Sequence, residues 1–112
     1  MSTPTPAMRG AALNPVNVTI IPVPGGPPKV LPRERHVLDT SEEIVWTLGG
    51  PANSFRVVFK GQSPFSSKVF DNVNSHSGAP IVKPGATHYK YEVSVDGGPV
   101  LDPDVIIDPN TA

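Results

Sequence analysis

The sequence predicts an all-β protein, folded as an antiparallel two-sheet Greek-key sandwich. Proline and glycine account for 15 and 10 of the 112 residues, a composition that suits short strands joined by turns. Three Gly-Gly-Pro turns, beginning at Gly25, Gly49 and Gly97, separate apolar stretches. Within those stretches, polar and apolar side chains alternate with the period of two that marks half-buried strands, and no window keeps a helical period.

The clearest predicted strand is Tyr89–Val95. Pro84 and Gly85 form a turn signal before it, and polarity alternates from His88 onwards. One face of the strand is apolar and the other is polar, so we expect one face to lie on the core. The apolar face comprises Tyr89, Tyr91, Val93 and Val95.

The remaining strands are predicted from the same alternation and from the turns that bound them. Pro32 interrupts one segment, Lys29–Leu38, which is either two short strand pieces or one irregular edge strand. Trp46 is the predicted centre of the core. The other predicted strands are Val16–Ile21, Glu43–Leu48, Ser54–Lys60, a stub at Ile81-Val82 and a closing strand at Val105–Ile107.

The chain is of single-domain length, and we expect one domain over residues 16–112. Residues 1–15 mix Ser, Thr, Pro and Ala with little that could pack, which predicts a flexible N-terminal tail. The sequence as written shows no signal peptide and no membrane span, so the expected location is the cytoplasm, or the periplasm if the sequence is a truncated precursor.

Charge and cysteine content exclude several classes of function. The chain contains nine Lys and Arg and ten Asp and Glu, which gives a formal net charge of −1. We therefore expect neither a nucleic-acid nor a membrane partner. The absence of cysteine excludes disulfides, thiol nucleophiles and thiolate metal sites. The expected partner is an unidentified protein or small ligand, and the oligomeric state is left open.

The order of these signals resembles the cupredoxin family over most of the chain. The motifs that carry the resemblance are a Trp-bearing strand, a Val-Val-Phe strand, a Ser/Phe-rich loop and a Tyr-x-Tyr strand. In this sequence they are Ile44-Val45-Trp46-Thr47, Asn53-Ser54-Phe55-Arg56-Val57-Val58-Phe59, Ser63-Pro64-Phe65-Ser66-Ser67 and Lys83–Tyr91. The resemblance implies a cupredoxin-like fold for residues 16–112.

The sequence departs from the family at the positions of the copper ligands. Asn53 and Ser54 stand where the resemblance implies a histidine, and Val93 stands where it implies the cysteine. The loop Asp96–Leu101 contains neither His nor Met. Because a blue-copper site needs a thiolate and two imidazoles together, we expect a copper-free, non-catalytic protein with no cofactor.

Histidines provide the alternative function, a metal-handling protein. His36, His76 and His88 are the candidate ligands, but no two of them have the spacing of a shared metal site. Four aspartates in the C-terminal part could hold calcium, although turn chemistry accounts for them better. His76 and Ser77 are adjacent, yet the sequence lacks the Gly-x-Ser-x-Gly turn that exposes a serine nucleophile.

The predicted binding surface is the longest irregular stretch, residues 62–78, together with the neighbouring turns. Long loops are where small domains most often keep their binding residues. The candidate contacts on this surface are Ser63, Phe65, Asn72, Asn74 and His76. The primary functional prediction is therefore a non-catalytic β-sandwich module that binds a protein or a small ligand.

Overall fold

The structure is a computed structural model that describes residues 13–38, 41–81 and 87–108, and over these ranges the chain contains strands and no α-helix. No helix that could span a membrane is found in these ranges. The strands are β1 (Asn14–Ile21), β2 (Lys29–Leu31), β3 (Glu34–Leu38), β4 (Glu42–Leu48), β5 (Phe55–Phe59), β6 (Val69–Asp71), β7 (His88–Val95) and β8 (Asp104–Asp108).

The strands form two mixed sheets, one of three strands in the order β2-β1-β4 and one of five in the order β3-β8-β7-β5-β6. The prediction of purely antiparallel sheets is wrong for one pair in each sheet. β1 runs parallel to β4, and β3 runs parallel to β8. Alternating polarity reports which face of a strand is buried, but it carries no information about the direction of the neighbouring strand.

Pro32 separates two strands that belong to different sheets. β2 pairs with β1 in the three-stranded sheet, whereas β3 pairs with β8 in the five-stranded sheet. Of the two alternatives for Lys29–Leu38, the pair of short strands is therefore confirmed. The chain crosses from one layer to the other within three residues, so this segment ties the two sheets together.

The two sheets share one core, as in a β-sandwich. Trp46, in the three-stranded sheet, is 1% exposed, and its ring centroid lies 4.9 Å from that of Phe70 and 5.9 Å from that of Tyr91, both in the five-stranded sheet. Trp46 Nε1 donates a hydrogen bond of 3.4 Å to the Tyr91 hydroxyl. Burial raises the pKa of Tyr91 far above its ordinary value, so this hydroxyl stays protonated. The predicted central position of Trp46 is confirmed.

Residues 62–78 are more regular than predicted. They contain β6, and the segment that follows β6 runs beside β4, where Trp46 N donates to Ser75 O at 3.0 Å and Ser77 N donates to Ile44 O at 2.9 Å. The segment therefore covers the edge of β4 that would otherwise be unpaired. This pairing could not be predicted, because Ser and Asn have low strand propensity and the pairing depends on tertiary contacts.

Some predicted boundaries shift or fall outside the described ranges. β1 begins at Asn14, so Asn14 and Pro15 belong to a strand rather than to the predicted tail, of which residues 1–12 lie outside the described part. Ile81 is described but lies in no strand, and Val82 is not described. The predicted turn at Pro84 and Gly85 lies outside the described residues.

Candidate functional site

Three connections meet at one end of the two sheets, which we call the turn end: residues 22–28, 49–54 and 96–100. The first two are brought together because β1 and β4 run parallel and finish side by side, with Ile20 opposite Leu48. Gly49 N donates to Ile20 O at 2.7 Å where the two connections begin. The third joins them because the start of β5 pairs with the end of β7, with Phe55 opposite Val95.

An open cleft of about 510 Å³ lies between these connections. Each Gly-Gly-Pro turn contributes to its wall, and most of the wall is aliphatic. Its size falls within the range of small-molecule binding sites. The residues that line it are Pro22, Val23, Pro24, Gly25, Gly26, Pro51, Val95, Asp96, Gly98 and Pro99.

Asp96 is held in a tight turn at the edge of this cleft. Asp96 and Gly97 both have positive φ angles, 50° and 73°, and Gly98 N donates to Val95 O at 2.9 Å. This is the two-residue turn in which Asp-Gly is strongly favoured, because both central residues must adopt a left-handed conformation. The conformation of Asp96 is therefore set by the turn.

The carboxylate of Asp96 binds the connection between β4 and β5. Its Oδ1 accepts hydrogen bonds from Asn53 N at 3.0 Å and Ser54 N at 2.9 Å, and Asp96 N donates to Ser54 O at 3.0 Å. These donors are neutral. None of the ion pairs formed within the described ranges includes Asp96, so its negative charge has no compensating side chain there.

The positions at which the resemblance implies copper ligands have structural roles. Asn53 and Ser54 supply the backbone amides that Asp96 binds. Val93 is fully buried, and its backbone exchanges two hydrogen bonds of 3.0 Å with Leu101. An apolar side chain packed in the core and a carboxylate bound to amides therefore occupy this region.

Asn72 and Asn74 lie in a tight turn after β6. Asp71 Oδ1 accepts hydrogen bonds from Val73 N at 2.9 Å and Asn74 N at 2.8 Å, and Asp71 N donates to Asn74 O at 3.1 Å. Because Asp71 pairs with Arg56 near the start of β5, this turn also lies at the turn end. Val73 at its tip is 90% exposed.

Ser63, Phe65 and His76 do not join Asn72 and Asn74. Ser63 Oγ donates to Ser67 O at 2.7 Å and lines a separate cavity of about 210 Å³ at the opposite end of the sheets. Phe65 is 2% exposed and belongs to the core, so it is not available as a surface contact. An apolar ring in a polar loop is as compatible with packing into the core as it is with contacting a binding partner. His76 lies beside β4, with Nδ1 3.4 Å from Glu43 Oε2.

Two of the three candidate metal ligands lie on the outer face of the five-stranded sheet. His36 and His88 both pair with Ile106, one from each side, so two strand spacings, about 9.5 Å, separate their Cα atoms. His76 bridges to Val45, at the edge of the other sheet. Within the described ranges, no group of three or more His, Asp or Glu side chains is placed to hold a metal ion.

The outer-face histidines pair with carboxylates of β8 and β3. His36 Nδ1 lies 3.0 Å from Asp108 Oδ2, and His36 Nε2 lies 3.3 Å from Glu34 Oε2. The hydrogen bond to Asp108 raises the pKa of His36, slight burial opposes it, and Glu34 adds to the rise.

Asp104 on β8 is the carboxylate of a second charged cluster on this face. Its Oδ1 lies 2.9 Å from Lys90 Nζ and 3.2 Å from His88 Nε2. Burial acts to raise the pKa of Asp104, but the bonds to Lys90 and His88 outweigh burial and lower it. Both clusters therefore couple neighbouring strands through charge.

Ser77 has a structural role rather than a catalytic geometry. Its hydroxyl accepts a hydrogen bond from Ile44 N at 2.8 Å and donates to Gly78 O at 2.9 Å. Ser77 is 4% exposed, whereas its neighbour His76 is exposed. The adjacent His and Ser therefore point to different environments.

The cleft is the feature that sequence analysis missed. The three Gly-Gly-Pro turns were the available signal, since each contributes residues to its wall, but their spacing along the chain does not show that they meet. Compared with known proteins, the chain matches no family model, no curated protein and no solved structure. Its resemblance to the cupredoxins therefore remains a prediction.

Proposed function

We propose that this chain is a non-catalytic, copper-free binding module on a cupredoxin-like Greek-key sandwich, and that it binds a small ligand or a protein at the turn end. The topology supports the fold. Neighbouring strands such as β1 and β4 or β3 and β8 are distant in sequence, so the chain crosses between the layers, as it does in a sandwich. These two parallel pairs depart from a Greek key built of antiparallel strands alone. The segment divided at Pro32 supplies a strand to each layer.

The cleft is the single observation that carries the function. Binding sites for small molecules are concave and mostly apolar, and this cleft has both properties. Its walls are also held in place, because Asp96 links the connection 96–100 to the connection 49–54, and Gly49 N donates to Ile20 O at the end of β1. A surface that is ordered before binding loses less conformational entropy when a partner arrives.

The turn of Asn72 to Asn74 lies at the same end of the five-stranded sheet and offers a protein partner a second contact. It presents Val73 on backbone that Asp71 has already fixed. The near-neutral net charge argues against a nucleic acid. The hydroxyl of Ser77, the serine beside His76, is engaged in hydrogen bonds with the backbone, which supports a non-catalytic role.

A fragment screen followed by amide NMR tests this proposal. Chemically diverse fragments are added to the ¹⁵N-labelled chain, and shift changes are mapped onto the residues. We expect the changes to concentrate at amides of the cleft, such as those of Val23, Gly26 and Gly98. Hits that concentrate around Ser63 and Lys68, in the opposite cavity, would contradict the proposed location, as would hits spread evenly over the surface.

A further inference from the structure

We propose that the cleft at the turn end binds a small organic cation, an ammonium group carried on an apolar body. This inference rests on the proposed function and names the chemical class of its ligand. The observations behind it are the composition of the cleft wall and the carboxylate of Asp96, which forms no ion pair within the described ranges.

The wall determines the body of the ligand. Four prolines and two valines supply its side chains, and three glycines supply backbone only. None of these side chains carries a hydrogen-bonding group, so a polar ligand body would find replacements for its lost hydration only at backbone groups and at Asp96. When an apolar body binds, apolar surface of the ligand and aliphatic surface of the cleft wall are both removed from water, which favours binding.

Asp96 determines the charged group. Of the described residues that line the cleft, it is the one that is ionisable. Its hydrogen-bond donors are two backbone amides and the hydroxyl of Ser54, which orient the carboxylate but do not cancel its charge. A cation is therefore attracted to this edge and an anion is repelled.

The opposite cavity provides an internal contrast. It is lined by Gly61, Gln62, Ser63, Lys68, Ile81 and Tyr89, so its ionisable groups include a cation and no carboxylate. A ligand that recognises charge should distinguish the two cavities, and a ligand attracted only by apolar surface should not.

Three matched probes test the proposal: 2-phenylethylamine, 2-phenylethanol and phenylacetate, which share a phenyl ring and differ in charge. Each is titrated into the ¹⁵N-labelled chain at neutral pH. We expect the amine to shift the amides of Val23, Gly26 and Gly98 with an affinity about fivefold above that of the alcohol, the ratio expected of one solvated charge pair. Phenylacetate should bind more weakly than both.

Two variants assign the preference to Asp96. Asp96→Asn keeps an acceptor for the amides of Asn53 and Ser54 and removes the charge, so the amine should bind it no better than the alcohol. Pro99→Lys adds a cation to the exposed edge of the cleft without touching that hydrogen-bond network. This variant should lower the affinity for the amine and leave the affinity for the alcohol unchanged. It tests the role of charge even if Asp96→Asn does not fold.

The outcomes separate this inference from the proposed function. Equal affinities of the amine and the alcohol at the cleft would overturn the assignment of charge and leave the binding module standing. No shift at the cleft with the amine at millimolar concentration would also overturn the inference, while hits from the fragment screen would still support the module. Tighter binding of Nα-acetyl-lysine methylamide than of 2-phenylethylamine would overturn the small-molecule assignment in favour of a protein lysine.

Discussion

Asp96 and Ser54 are hydrogen-bonded in both directions: Ser54 N donates to Asp96 Oδ1 at 2.9 Å, and Asp96 N donates to Ser54 O at 3.0 Å. The pair joins the connection before β5 to the turn after β7. It also lies where the resemblance to the cupredoxins implies a copper ligand. A carboxylate and backbone amides thus hold these two connections together.

Replacement of Asp96 should separate the two roles of its side chain. Asp96→Ala removes the acceptor for two amides and puts alanine at a positive φ, so we expect the free energy of unfolding to fall by about 1–3 kcal/mol. Asp96→Asn retains an acceptor and tolerates this conformation, and it should lose less than about 1 kcal/mol. Urea unfolding measures both, and equal losses would contradict the role given to the acceptor.

Ser77→Ala should weaken the pairing of the segment that follows β6 with the edge of β4. Without the hydroxyl, the buried N–H of Ile44 has no acceptor, and we expect a loss of about 1–3 kcal/mol. The matched control is Ser66→Ala, at an exposed position in the same loop, which should change stability by less than about 0.5 kcal/mol. Similar losses in the two variants would show that the hydrogen bond to Ile44 does not matter.

Trp46→Ala tests the shared core. The side chain is 1% exposed and contacts rings from the other sheet, so its removal should cost about 3–5 kcal/mol. Leu31→Ala, at a position that is 56% exposed, should cost less than about 1 kcal/mol. A thermal melt that shows little change for Trp46→Ala would refute the central position of the tryptophan.

The outer-face pair of His36 and Asp108 should make stability depend on pH. Because the pKa of His36 is raised in the folded chain, its contribution is complete below the unfolded pKa of about 6.5 and disappears as pH rises through the higher folded value. The stability difference between wild type and His36→Gln should therefore shrink as pH rises from below about 6.5 through the raised folded pKa. In the Asp108→Asn background the shrinkage should be reduced, and an unchanged shrinkage would exclude Asp108 as the main partner.

Titration with copper(II) and zinc tests the alternative of a metal-handling protein. His36 and His88 are separated by β8, and His76 lies at the edge of the other sheet. We therefore expect no heat of binding at micromolar metal in calorimetry. Stoichiometric binding that is lost in His36→Ala or His88→Ala would contradict this expectation and favour the metal-handling role.

Local chemistry made the strands predictable. The alternation in β4, β5 and β7 identified the buried faces, because a side chain's face depends only on its place along its own strand. Trp46 could be placed in the core for the same reason. Strand direction and sheet membership could not be predicted this way, since they depend on how the chain travels between strands, as in the parallel pairing of β1 with β4.

The candidate site was predicted less completely than the fold. The turns could be recognised from their glycines and prolines, but their convergence follows from β1 and β4 ending side by side and from the pairing of β5 with β7. Asn72 and Asn74 do reach the turn end, although nothing in their spacing indicates it. Phe65 was misassigned because the sequence of a loop does not show which of its apolar residues turns inward.

The most direct test of the binding end compares two leucine variants, Gly26→Leu in the cleft and Gln62→Leu in the opposite cavity. A Cβ at Gly26 would meet only Val23 Cγ1, at 3.8 Å, so the backbone accepts a side chain at this position, and we expect leucine to narrow the cleft. For fragments that shift the turn-end amides, NMR titration should give an affinity at least about tenfold weaker in Gly26→Leu and unchanged in Gln62→Leu. Fragment affinities that stay at the wild-type value in Gly26→Leu, or that fall only in Gln62→Leu, would contradict binding at the turn end.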